Sequence, residues 1–212
     1  EVSFLSGKEV AEALCRLGHT VIELDITKKD FCLVSMDNID LIFNSLHGGI
    51  GENGIVQSIC HMKNIPYTGS GVLSSALAMN KVLAKKIFSS VGINTPEGKV
   101  SSVESILIKE PFPRPYVIKP IDGGSSVGVN IIKQDTDLNS IEISKSDVLI
   151  EAYIEGREIS VAVIENKILG MIEIMYTDSF YDYDAKYNSD KTQYMIPDNL
   201  NILLKKKIEK YS

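Results

Sequence analysis

The chain has 212 residues, is 44% hydrophobic and 24% charged, and carries a formal net charge of -6. That length accommodates one large domain or two small ones, and the composition is that of an ordinary globular protein. The acidic balance argues against a general nucleic-acid binder, and no apolar run approaches the roughly 18 residues of a membrane span.

The opening residues, EVSFLSGKEV, carry acids and lack the apolar segment of a secretory signal. Three cysteines, Cys15, Cys32 and Cys60, show no C-x-x-C spacing, which fits reduced thiols in a cytoplasm. With three histidines also far apart in sequence, they argue against a zinc site. The chain opens on Glu1 and closes on KKKIEKYS, the last turn of an expected helix, so it reads as a fragment or as the ordered part of a longer protein.

The first half alternates. SGKEVAEALCRLG places Val10, Ala13, Leu14 and Leu17 on one helical face, with Gly18 as the stop. TVIELD reads as a short strand and NIDLIFNSL as a buried one with continuous apolar character. A helix is expected from Ile55 to about Lys63, a second near Val72 to Ala78, and a third starting at the N-cap Asn80 and ending near Gly92. Alternation of this kind predicts an open, largely parallel α/β sheet.

Between the apolar run and the first of these helices lies HGGIGENG, residues 47–54, which contains G-x-G-x-x-G in a strand–turn–helix context. A nicotinamide-binding fingerprint needs an acid about 20 residues further on, to reach the ribose hydroxyls. After Glu52 the next acidic residue is Glu97, which disfavours that reading. What remains is a glycine-rich turn, with His47 and Glu52 marking a polar site at the carboxyl end of a strand, where open α/β sheets bind ligands.

The pattern changes near Thr95-Pro96. PYVIKP, VGVNIIK and DVLIEAYI read as strands, and REISVAVIENKILGMIEIMY as two strands joined at residues 165–167, which predicts an antiparallel sheet. TDSFYDYDAKYNSDKTQYMIPDN is a long polar loop rich in tyrosine, of a length that usually signals function. IDGGSSVG, residues 121–128, joins two strands and can offer backbone N–H groups and two serine hydroxyls to phosphate oxygens, although it is not a Walker A loop. Lys119, inside the apolar strand VIKP, needs an anion to offset its desolvation. Lys81 opens the helix MNKVLAKK, and Glu151 and Glu158 flank a strand end.

Six ordered blocks, EVS…SG, LHGGIGENG, PYTGSGVLSSALAMNK, VIKPIDGGSSVGV, VLIEAYIEGREISVAV and FYDYDAKYNSDKTQY, resemble the D-alanine–D-alanine ligase family of ATP-grasp enzymes, over essentially the whole chain. The resemblance implies a mixed α/β and α+β fold. An open parallel α/β domain over 1–79, without its first strand, would be followed by a central ATP-grasp domain rich in antiparallel strands over 80–176. A mobile Tyr-rich loop and the start of a C-terminal ATP-grasp part, largely missing, would occupy 177–212. It implies ATP-dependent joining of two D-alanines through an acylphosphate, for peptidoglycan precursor synthesis in a bacterial cytoplasm. The implied partners are D-alanine and ATP, with no nucleic acid and no membrane, and the implied assembly is a homodimer.

Roles follow position by position from the resemblance. Lys81 and Lys119 would hold the ATP phosphates, with Ser125 and Ser126 in the loop closing over them and Lys186 facing them from the Tyr-rich loop. Glu151, Ala152, Tyr153 and Ile154 would form the adenine-binding hinge, and Glu158 the ribose carboxylate. Glu1 would hold the first D-alanine's ammonium, a natural carboxylate partner, with His47 beside that site. Glu1, Ser125 and Tyr187 would form a hydrogen-bonded catalytic set, and Tyr187 goes with dipeptide rather than depsipeptide formation. The implied cofactor is Mg2+ or Mn2+, with no metal ligand within this chain and the expected ones beyond Ser212. The 212 residues alone are therefore expected to be inactive. Two alternatives stay open: another ATP-grasp carboxylate–amine ligase, and, from a different class, a nicotinamide-binding oxidoreductase.

Overall fold

The computed structural model describes residues 2–26, 35–141, 147–176, 186 and 192–212. The chain divides into two compact units, Glu1–Lys85 with Ile121–Gly124, and Lys86–Pro120 with Ser125–Ser212.

The first unit is built on helices. Helix α1, Val2–Arg16, turns Gly7, Val10, Ala11 and Leu14 inward and buries Ala11, while Leu17 lies beyond its end and is 75% exposed, so Leu17 does not belong to the inner face expected of it. Gly18 ends the helix at φ 89, with its N–H on the carbonyl of Cys15 and the N–H of His19 on that of Leu14, the paired bonds of a Schellman stop. Helices α2, Ile55–Met62, and α3, Val72–Met79, fall where their periodicity places them. Helix α4, Lys81–Ser90, starts after Asn80, whose Oδ1 accepts from the N–H of Leu83 at 3.0 Å.

The two strands expected in this unit are not formed. Among its described residues the one β contact is a parallel bridge between Ile42 and Tyr67, with Ile42 donating to Pro66 O at 2.9 Å and Thr68 donating to Ile42 O at 3.0 Å. Leu41 is 54% and Phe43 47% exposed, so residues 39–46 do not lie buried throughout. An extended segment becomes a strand only where a neighbour completes its ladder, and here one bridge does so. The core of the unit gathers Val56 and Cys60 of α2 against Ile26, Met36, Ile42, Leu46, Ile50, Ile59 and Tyr67.

Among its described residues the strands of the second unit pair antiparallel, as its hairpin-rich sequence predicts. Strands β1, Gly98–Ser102, β2, Tyr116–Pro120, β3, Asn130–Ile132, and β4, Asp147–Ala152, form a sheet in the order β1-β4-β2-β3. One face carries Tyr116, Ile118, Ile132, Val148 and Ile150, which pack with Ile106 of helix α5, Val103–Ile108. Neither β1 nor α5 is anticipated from the sequence; α5 is capped by Ser102, whose hydroxyl accepts from Ser105 N–H. Strands β5, Glu158–Ile164, β6, Lys167–Met175, and β7, Gln193–Met195, make a second sheet. Glu165 and Asn166, at φ 48 and 65, form the two-residue turn between β5 and β6. Strand β7 lies inside the stretch expected to be one long loop; its residues pair with Glu173, Ile174 and Met175 of β6. Helix α6, Ile202–Tyr211, is capped by Asn201. No helix among the described residues is long and apolar enough to cross a membrane.

Candidate active site

Strand β4 is the spine of the candidate site because it is central and buried on both faces. Val148 and Ile150 face the apolar core, while Leu149 and Glu151 point the opposite way and are buried too, Glu151 to 5% exposure. A buried carboxylate is costly unless paired. Its partner is Lys119, two positions along the neighbouring strand β2, with Nζ in an ion pair with Glu151 Oε2. The anion that Lys119 requires is thus supplied by the chain itself. Space for the Glu151 side chain comes from the third strand: Gly98 of β1 is registered opposite Glu151, and a Cβ there would stand 2.9 Å from Glu151 Cγ.

Beyond Ala152 the chain leaves the sheet. Ala152 N–H donates to Glu97 O at 2.9 Å, Tyr153 is half-buried and Ile154 is 66% exposed. Glu158 opens β5, and one of its carboxylate oxygens accepts from the hydroxyl of Tyr176 at 2.7 Å. Burial first, and the Glu158 carboxylate next, push the Tyr176 hydroxyl up to about 12.

The loop between β2 and β3 turns sharply. Ser125 and Ser126 both adopt left-handed backbone, at φ 52 and 59, an uncommon conformation for side-chain-bearing residues. Gly128, at φ 72, lies against Pro120, where a Cβ would approach Pro120 Cγ to 2.9 Å. Lys186 Nζ donates to Ser126 Oγ at 2.8 Å. Burial lowers the Lys186 ammonium below the ordinary lysine value, partly opposed by the charge of Glu158. In the first unit, Lys81 N–H and Nζ donate to Ile121 O and Gly123 O, each at 2.9 Å, fixing the other end of the glycine loop.

HGGIGENG is explained by packing. Gly48, Gly49 and Gly54 have φ of 70, 49 and 93, and a Cβ on Gly51 would overlap Cβ of Leu46. The Gly51 carbonyl accepts from Asn44 Nδ2 and from buried Gln57 Nε2, both at 2.8 Å. His47 is exposed, with its N–H on Ser3 Oγ and its Nδ1 3.0 Å from Ser45 O. The Gly48 N–H donates to the Glu52 carboxylate. Each glycine therefore meets a backbone or space requirement, without any dinucleotide.

A family model described as the C-terminus of D-ala D-ala ligase matches residues 87–212, and one described as its N-terminus matches residues 33–70. The chain is 40% identical over 206 residues to the D-alanine–D-alanine ligase of Rhizorhabdus wittichii, covering 93% of this chain and 66% of that protein. With that of Trichlorobacter lovleyi it shares 39% over 215 residues, covering 99% and 69%. The chain belongs to the D-alanine–D-alanine ligase family. It spans about two thirds of the length of these curated relatives. The Bacillus anthracis D-alanine–D-alanine ligase crystallised with ATP superposes with a TM-score of 0.77 at 33% identity, covering 99% of this chain and 70% of that one. The ATP-grasp fold class expected from the sequence is that of these neighbours.

Of the residues that the ligase resemblance singles out, the second unit pairs Lys119 with Glu151 and Lys186 with Ser126. Glu1 and Tyr187, two of the three residues of the expected catalytic set, lie outside the described residues, as does Cys32. Gly98, Tyr176, Asn44 and Gln57 are missed by sequence reasoning. Their roles depend on which strand or turn lies opposite, and no local spacing signals it. Among the described residues no group of three or more His, Cys, Asp or Glu could hold a metal ion.

Proposed function

We propose that the protein joins two D-alanines with ATP through an acylphosphate, as a peptide-bond-forming ligase of peptidoglycan precursor synthesis. The observation that carries the reading is the half-buried ammonium of Lys186 held on Ser126 of the left-handed serine turn. A desolvated cation beside such a turn gains from an arriving polyphosphate what it has lost from water. In a chain of net charge -6, that local positive charge is what a nucleotide needs.

In this reading Lys81, Lys119 and Lys186 neutralise phosphate charge, Ser125 and Ser126 donate to phosphate oxygens, Glu151 to Ile154 border the adenine, and Glu158 takes the ribose. A carboxylate oxygen of the first D-alanine attacks the γ-phosphorus and ADP leaves. The second amine, having lost its proton, attacks the acyl carbon and inorganic phosphate leaves. Glu1 and His47 would position the first D-alanine, and Tyr187 would complete a set with Glu1 and Ser125. Preorganised charge and water exclusion would supply most of the rate. The proposed division is 1–79, 80–176 and 177–212, in a homodimer of the bacterial cytoplasm with no nucleic acid or membrane partner.

The test is phosphate release by the purified protein as expressed from its gene, with ATP and either D-alanine, L-alanine or no amino acid. D-alanine-dependent release with formation of the dipeptide is expected. Equal release with all three would overturn the reading.

A further inference from the structure

We infer that Tyr176 is a positioning residue for the nucleotide: its hydroxyl holds the Glu158 carboxylate in the orientation that receives the ribose hydroxyls. The inference rests on the proposed role of Glu158 as the ribose carboxylate. Its own support is geometric. Glu158 is the first residue of β5 and is registered opposite Ile174 of β6. Tyr176 stands two residues beyond Ile174, directly after the end of β6 at Met175. The hydroxyl reaches the carboxylate at 2.7 Å.

Glu158 is exposed, and an exposed glutamate samples several rotamers that a bound ribose would have to select. Tyr176 is half-buried, has two side-chain torsions, and brings a donor at a fixed height above the sheet. One carboxylate oxygen is engaged by that donor, which presents the second for another hydroxyl. The surroundings agree: the charge of Glu158 and the Tyr153 hydroxyl both act on Tyr176, and Glu158 also acts on Lys186. Tyr176 thereby stands among residues proposed to meet the adenine, the ribose and the phosphates. The elevated Tyr176 ionisation, to about 12, means that the hydroxyl keeps its proton and remains a donor at working pH.

The experiment compares the purified protein with Tyr176→Phe, Glu158→Gln and the double variant, using ATP and 2′-deoxy-ATP at saturating D-alanine. Losing a hydrogen bond to a carboxylate predicts that Tyr176→Phe raises KM for ATP about three- to tenfold and changes kcat less than about twofold. It should also shrink the preference for ATP over 2′-deoxy-ATP, and the double variant should be no worse than Glu158→Gln alone. An unchanged nucleotide KM in Tyr176→Phe, with KM raised in Glu158→Gln, would overturn the positioning role while leaving the ribose role standing. An unchanged KM and unchanged nucleotide preference in Glu158→Gln would remove the ribose role and this inference with it. If Tyr176→Phe fails to fold, tyrosinate absorbance in Glu158→Gln decides: a Tyr176 that still ionises as late as in the parent means that the carboxylate does not hold it.

Discussion

Gly98 and Glu151 are cross-strand partners, and a Cβ on Gly98 would stand 2.9 Å from Cγ of Glu151 and 3.0 Å from the carbonyl oxygen of Ile150. The glycine is present for space rather than for backbone freedom, since its φ is not left-handed. Gly98→Ala is expected to displace Glu151 from Lys119, to lose about 1–3 kcal/mol of stability, and to raise KM for ATP. Denaturant unfolding and nucleotide kinetics measure both. A variant indistinguishable from the parent in the two assays means that the strand yields and Gly98 plays no positioning part.

The Lys119–Glu151 pair is asymmetric, because the carboxylate is the more deeply buried partner. Lys119→Met takes the ammonium away from the buried Glu151 carboxylate and is expected to cost about 3 kcal/mol. Lys119→Met combined with Glu151→Leu should recover part of that loss, since two apolar side chains take the buried charge out of the sheet. Both losses are read from denaturant midpoints; simple additivity of the two single changes would contradict the pairing.

Acid should unfold the second unit in part through two arginine-held carboxylates. The Arg157 guanidinium, hydrogen-bonded to Glu173 at 2.6 Å through Nε, holds that carboxyl below its ordinary value of 4.5, and Arg114 does the same for Glu110. With the folded-state values depressed, the stabilisation is fully present above the ordinary value and is lost as pH falls through the lower one. Glu173→Gln should therefore melt below the parent near neutrality, and the gap should close as pH is lowered through the depressed Glu173 value. A gap that stays constant over that range would mean that the pair does not couple to folding.

Gly51 tests the packing account of HGGIGENG. Gly51→Ala places a methyl on the Leu46 side chain and strains a turn whose carbonyl is gripped by Asn44 and Gln57. A loss of about 1–3 kcal/mol is expected, with partial rescue by Leu46→Ala, measured by thermal melting. Absence of rescue would place the strain elsewhere in the turn.

By itself the sequence determined the elements whose signals are local. Gly18 stops α1 because a left-handed residue there satisfies two end carbonyls, Asn80 caps α4 because its short side chain reaches an unpaired N–H, and Glu165-Asn166 turns β5 into β6. The six ordered motifs likewise pointed to the family, since residue order is linear information. Tertiary structure decided what depends on a neighbour. Residues 39–46 read as a buried strand yet form a single bridge, because a strand is defined by the chain beside it. Only the order β1-β4-β2 gives Lys119 the Glu151 carboxylate and sets a glycine opposite it, and only the β5–β6 register brings Tyr176 to Glu158. Such pairings are set by strand register and by the low dielectric of a packed face, neither of which residue spacing along one chain encodes.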